Sequence, residues 1–104
     1  MKLFIKSNRL GYDATCIMND NKFIICKGAK LAPLSCNFRP AKSVINYRNN
    51  KEYVDDNLIT LSDIEFNSSS TAAQFVVGQS VNGNIKWRNS EKQTLKDILK
   101  NRSW

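Results

Sequence analysis

The sequence has no histidine, only two prolines and four glycines, and three cysteines in 104 residues. Without histidine there is no Ser-His-Asp triad and no imidazole ligand for a metal. Cys16, Cys26 and Cys36 are odd in number and form no C-x-x-C pair, so neither zinc nor any other metal or cofactor is expected. Cys26, inside "KFIICK", reads as a small buried hydrophobe rather than a reactive thiol. No apolar run approaches the length of a membrane span, and the opening "MKLFIKSNRLGYD" has too short an apolar core for a signal peptide. A reduced, cytoplasmic protein without a membrane partner is expected. At 104 residues, with no internal repeat and no low-complexity run beyond three serines, residues 1–104 are read as one domain.

Acidic residues are scarce except in the middle. The chain carries 16 Lys+Arg against 9 Asp+Glu, a net charge of +7. Residues 1–51 hold ten bases and only Asp13 and Asp20 as acids, whereas residues 52–85 hold five acids and no base. Residues 86–104 return to six bases against Glu91 and Asp97. Two basic segments flank an acidic waist, and a positive face results if the ends fold together. Such a face gains affinity for a polyanion by releasing counterions from phosphates, although net charge alone serves solubility equally well.

Alternation in "KLFIK" (residues 2–6) and the strand formers of "YDATCIM" (residues 12–18) predict strands. "NDN" at 19–21 then turns the chain into "KFIICK", giving a β-hairpin of residues 12–18 against 22–27. Pro33 and Pro40 mark residues 31–39 as a loop. Residues 41–54 place Val44, Ile45, Tyr47 or Arg48, and Lys51 at helical spacing. Residues 57–66 read as one or two short strands with Leu58, Leu61, Ile64 and Phe66 as core candidates. Ser68 is a suitable N-cap for a helix whose body is Ala72, Ala73, Phe75, Val76 and Val77, with Gly78 as its stop. Ser70 and Gln74 share a face of that helix and are expected to look outward. Asn82-Gly83 reads as a turn at positive φ, and Ile85 to Arg88 as a short strand. Thr94 caps a last helix with the apolar stripe Leu95, Ile98, Leu99 and with Lys92, Lys96, Lys100 and Arg102 around it. The fold expected is α+β: a small single domain with an N-terminal antiparallel β-hairpin sheet and two or three packed helices.

Residues 66–88, "FNSSSTAAQFVVGQSVNGNIKWR", carry a recognisable order: Phe-x-Ser-x-Ser-x-Ala-Ala, then Val-x-Gly-x-Ser-x-Asn-Gly, then Trp-Arg. This order resembles the uncharacterised bacterial domain often appended to GIY-YIG nucleases and restriction-modification proteins, and it is similar to the signature of the RAMA domain proposed to read modified DNA. "DATC" and "FIICKGA" look like the upstream hairpin of the same domain, so the resemblance covers most of the chain. Ser69 stands where the pattern usually has proline, and Asn84 where an aromatic usually follows Asn-Gly. The resemblance implies association with DNA, and with a nuclease, methylase or other defence protein as partner.

A non-catalytic module is expected, since the GIY-YIG signature is absent and no carboxylate pair sits in an apolar setting. Candidate nucleic-acid contacts are Lys86 and Arg88 first, for which a core role is unsuited. Ser70 and Gln74 on the serine-led helix, Asn82 in the turn, and Lys27 and Lys30 at the hairpin end extend the set. Trp87 has two readings, a stacking surface for an unpaired or flipped base and a core residue under the last helix. The alternative function is a protein-binding adaptor or inhibitor acting on a restriction or defence protein.

Overall fold

Alternation builds the sheet. A computed structural model of the protein describes residues 1–102; residues 103 and 104 and the side chains of Asn101 and Arg102 lie outside it. In β1 (Lys2–Ser7), Leu3 and Ile5 are buried while Lys2, Phe4 and Lys6 are exposed. β2 (Tyr12–Asn19) buries Tyr12, Ala14 and Cys16, and β3 (Lys22–Ile25) buries Phe23 and Ile25. β4 (Ile64–Phe66) buries both of its ends. The four strands pair antiparallel in the order β1-β2-β3-β4, with Ile5 opposite Ala14, Cys16 opposite Ile25 and Ile25 opposite Ile64. Register therefore stacks these buried partners on one face. Asn19 pairs with Lys22, so Asp20 and Asn21 form the expected two-residue turn, with Asp20 at φ 56.

Helices cover that apolar face. α1 is Lys42–Arg48, α2 is Ser69–Val77, α3 is Gly83–Lys86 and α4 is Leu95–Arg102. α2 is the central one, with Ala72, Ala73, Phe75, Val76 and Val77 all buried. Its Phe75 ring lies 5.1 Å from Phe66, and Tyr47 of α1 meets both rings edge-on. Ser68 caps α2 by accepting from Thr71 N, and Gly78 ends it at φ 76. A Cβ on Gly78 would sit 2.3 Å from the Pro33 carbonyl oxygen, so glycine is required there by space as well as by dihedral.

Four expectations are corrected. α1 stops at Arg48 rather than running to residue 54, the chain tightening after Asn49 into turns in which Asn50 N donates to Tyr47 O and Tyr53 N to Asn50 O; Ile45 is exposed. Only Ile64–Phe66 of the 57–66 segment is strand, since Leu58 takes φ 62, and Leu61 is exposed. In α4 Leu95 is fully buried and Ile98 half-buried, while Leu99 faces solvent. Cys26 is half-buried, and Cys16 is the cysteine sealed in the core.

Arg48 is buried without a carboxylate partner among the described residues. Its Nε and Nη2 donate to Phe75 O at 3.1 and 2.6 Å, and Nη2 also donates to Ala32 O at 2.7 Å. Its guanidinium carbon lies 5.7 Å from the Phe75 ring centroid. Burial pulls its pKa down to about 10, so it stays charged at neutral pH. Arg48→Met should lower the unfolding free energy by about 2–4 kcal/mol in urea titrations, because two interior carbonyls lose their donor. Arg48→Lys should recover only part of this, having no planar fork.

Burial of Cys16, followed by the neighbouring Cys26, raises the Cys16 thiol to about 12 from 9.0. The unfolded chain then releases this proton at lower pH than the folded one, so stability is intact below pH 9 and falls as pH climbs towards 12. In unfolding titrations across that range, Cys16→Val should show a shallower decline than the wild type.

Candidate nucleic-acid interface

The serine run is largely occupied by the fold itself. Ser69 Oγ donates to Asn84 Oδ1 at 2.6 Å, and Ser70 Oγ accepts from Gly83 N at 3.0 Å. Gln74 Nε2 donates to Val81 O at 3.1 Å. These contacts fasten residues 81–84 to the first two turns of α2. Ser70 and Gln74 are therefore half-buried tethers rather than outward-looking side chains. Ser69 and Asn84, the two departures from the pattern that the sequence resembles, are hydrogen-bonded to each other.

Residues 85–88 are not a strand. Asn82, at φ −91, caps α3 by accepting from Asn84 N, and Ile85 points into solvent. Gly83 is helical and has no positive φ; it is needed because a Cβ would lie 2.1 Å from Ser69 O and 2.5 Å from Ser70 N. Two backbones meet where a side chain would stand. Trp87 follows directly, fully buried, with Nε1 donating to Ser69 O at 3.0 Å. Of its two readings the core one holds, since a sealed ring has no face to offer a base. The first turn of α2 is thus where α3 docks.

Arg88 emerges on the other side of this anchor. Phe4 N donates to Arg88 O at 2.7 Å and Arg88 N to Phe4 O at 3.1 Å, a reciprocal antiparallel pair that closes the outer edge of β1. Directly opposed residues share a face, so Arg88 stands beside Phe4. Phe4, Lys6, Tyr12, Ile85, Lys86 and Arg88 line one shallow pocket. Lys86 and Arg88 are both exposed, and Arg88 Nη1 donates to Lys92 O at 3.0 Å.

Lys27 and Lys30 line a second hollow with Asp13, Thr15 and Gly28. Lys30 exchanges backbone hydrogen bonds with Asp13, while its Nζ donates to Asn57 O. Asp13 in turn lies 3.9 Å from Lys6 Nζ, so Lys6, Asp13 and Lys30 form a row across the sheet. Of the expected site residues, Lys86 and Arg88 meet at the first hollow and Lys27 and Lys30 at the second. Ser70, Gln74, Asn82 and Trp87 belong to the scaffold that holds them. Lys2, Phe4 and Lys6 escaped the sequence reading. Their signal was present, an aromatic placed at the charged phase of "KLFIK".

The site is a cationic margin on a four-stranded antiparallel sheet with helices on one face, in a protein of the α+β class. The chain belongs to the family described as "Domain of unknown function (DUF4357)", whose model matches residues 3–99. No curated protein and no solved structure matches it.

Gly83→Ala should destabilise the domain by about 1–3 kcal/mol, the range for forced overpacking, because backbone and not a movable side chain opposes the new methyl group. Asn82→Ala, which removes only a cap, should cost about 1 kcal/mol. Chemical denaturation of the two variants checks the order.

Proposed function

We propose that the domain is a non-catalytic accessory module that binds DNA in a restriction-modification or nuclease system. The observation that carries this reading is the reciprocal Phe4–Arg88 pair, which brings the C-terminal basic segment against the N-terminal one. Arg88, Lys86 and Lys6 then share one hollow, and Lys27 and Lys30 lie beyond Asp13. Five cations along one margin suit a phosphate backbone, with Arg88 offering a forked donor and the lysines mobile point charges. The resemblance of residues 66–88 to a domain found beside GIY-YIG nucleases supports the setting, in which a nuclease or methylase supplies the chemistry and this module the grip. With no histidine in the chain, a role in binding is favoured over one in catalysis.

Fluorescence anisotropy with unmodified and adenine-methylated duplexes and with a single strand tests the reading. Binding should weaken with salt at a log–log slope of roughly −0.9 per neutralised phosphate, about −4 for four contacts. Lys86→Glu/Arg88→Glu should abolish it, with circular dichroism confirming the fold. Failure of every probe to bind at low salt would refute the proposal in favour of a protein-binding adaptor.

A further inference from the structure

α2 packs on the face of the sheet that carries Leu3, Ile5, Cys16 and Ile25, and among the described residues the opposite face has no such cover. Its middle is apolar. Phe4 is 37% exposed and stands opposite Thr15, and beside them Ile17 and Ile24 form a half-buried cross-strand pair. Its rim is cationic: Lys2 and Lys6 flank Phe4 on β1, Arg88 adjoins it, and Lys22 lies on β3. Lys2 Nζ sits 6.0 Å from the Phe4 ring centroid. The carboxylates of this face are already engaged, Asp13 with Lys6, Glu65 with Lys22, and Asp63 beside β4 with Lys27 N. Among the described residues, no carboxylate forms a salt bridge with Lys2 or Arg88. The face therefore keeps a positive surplus around an exposed aromatic ring.

We infer that this open sheet face receives a single-stranded segment of nucleic acid, with one unstacked base lying on the Phe4 ring and flanking phosphates held by Lys2, Lys6 and Arg88. The inference rests on the nucleic-acid reading above and specifies the form that is bound. Strands about 4.8 Å apart make a four-stranded face about 14 Å across between its outer strands, against a major groove of about 12 Å. A pleated surface of that width cannot enter a groove, and it touches a base only after the base has left its stack. An exposed ring with cations beside it matches that need, since aromatic stacking and backbone charge together hold single strands with little regard to sequence. None of these contacts reads the sugar, so the shared chemistry is an unpaired strand of either kind.

The test measures anisotropy of short oligo-dT, oligo-rU and a mixed-sequence duplex of equal length at low salt, with wild type, Phe4→Ala and Phe4→Tyr. Wild type should prefer one or both single strands over the duplex. Phe4→Ala should weaken single-strand binding about fivefold to a hundredfold, the effect of losing one stacked base, with circular dichroism confirming the fold. Phe4→Tyr, which keeps a ring, should retain single-strand affinity. Duplex binding that equals or exceeds single-strand binding, or a Phe4→Ala variant with unchanged affinity, would overturn the sheet-face inference and leave DNA association standing. Absence of binding by all three probes would overturn both.

Discussion

The backbone contact between Gly83 and the first turn of α2 is the constraint on which the surrounding arrangement depends. With a Cβ position only 2.1 Å from Ser69 O, residue 83 can only be a glycine if α3 is to lie where it does. That approach brings Gly83 N to Ser70 Oγ and Asn84 to Ser69, and it delivers Trp87 into the core with its indole N–H on Ser69 O. Trp87 buried fixes Arg88 one residue later, at the edge of β1. A bare methyl's worth of space therefore governs where a cation appears on the far surface.

The other end of α2 is held by different chemistry. The last turn of a helix leaves carbonyls without partners and carries a partial negative charge. Arg48 meets this need from the side, donating to Phe75 O, while Ala32 N donates to Val76 O and Ser35 N to Gly78 O. The cost of burying a guanidinium is thereby offset by helix dipole, hydrogen bonds and the Phe75 ring rather than by a carboxylate. Both ends of the central helix are pinned by polar contacts inside an otherwise apolar core, which favours one seating of the helix over the sliding that apolar packing alone would tolerate.

Local chemistry made much of this legible. Asn19-Asp20-Asn21 announces a tight turn, Ser68 a cap, and Gly78 a left-handed stop, because each depends on a residue and its immediate neighbours. What escaped depends on distant partners. The spacing of Ser70 and Gln74 shows that they share a helix face, yet it says nothing of the loop at 81–83 that comes to occupy that face. Four residues from Ile85 to Arg88 alternate as a strand would, but one helical turn accommodates the same four, and docking on α2 decides between them. Asn82-Gly83 is a turn signal whose glycine proved necessary for proximity rather than for φ. Phe4 lies at the outward phase that Leu3 and Ile5 set, so its exposure follows from alternation alone.

The Phe4–Arg88 pair also bears on how the domain is made. β1 leaves the ribosome well ahead of Arg88, and its inner edge finds β2 within a few residues, but among the described residues its outer edge finds no partner until Arg88 has been synthesised. During that interval the nascent chain presents an unpaired strand edge bearing an exposed phenylalanine, the kind of surface on which chains associate. Lys2 and Lys6, which alternate with Phe4, place like charges on any two such edges that approach, so that the residues flanking the ring also keep growing chains apart.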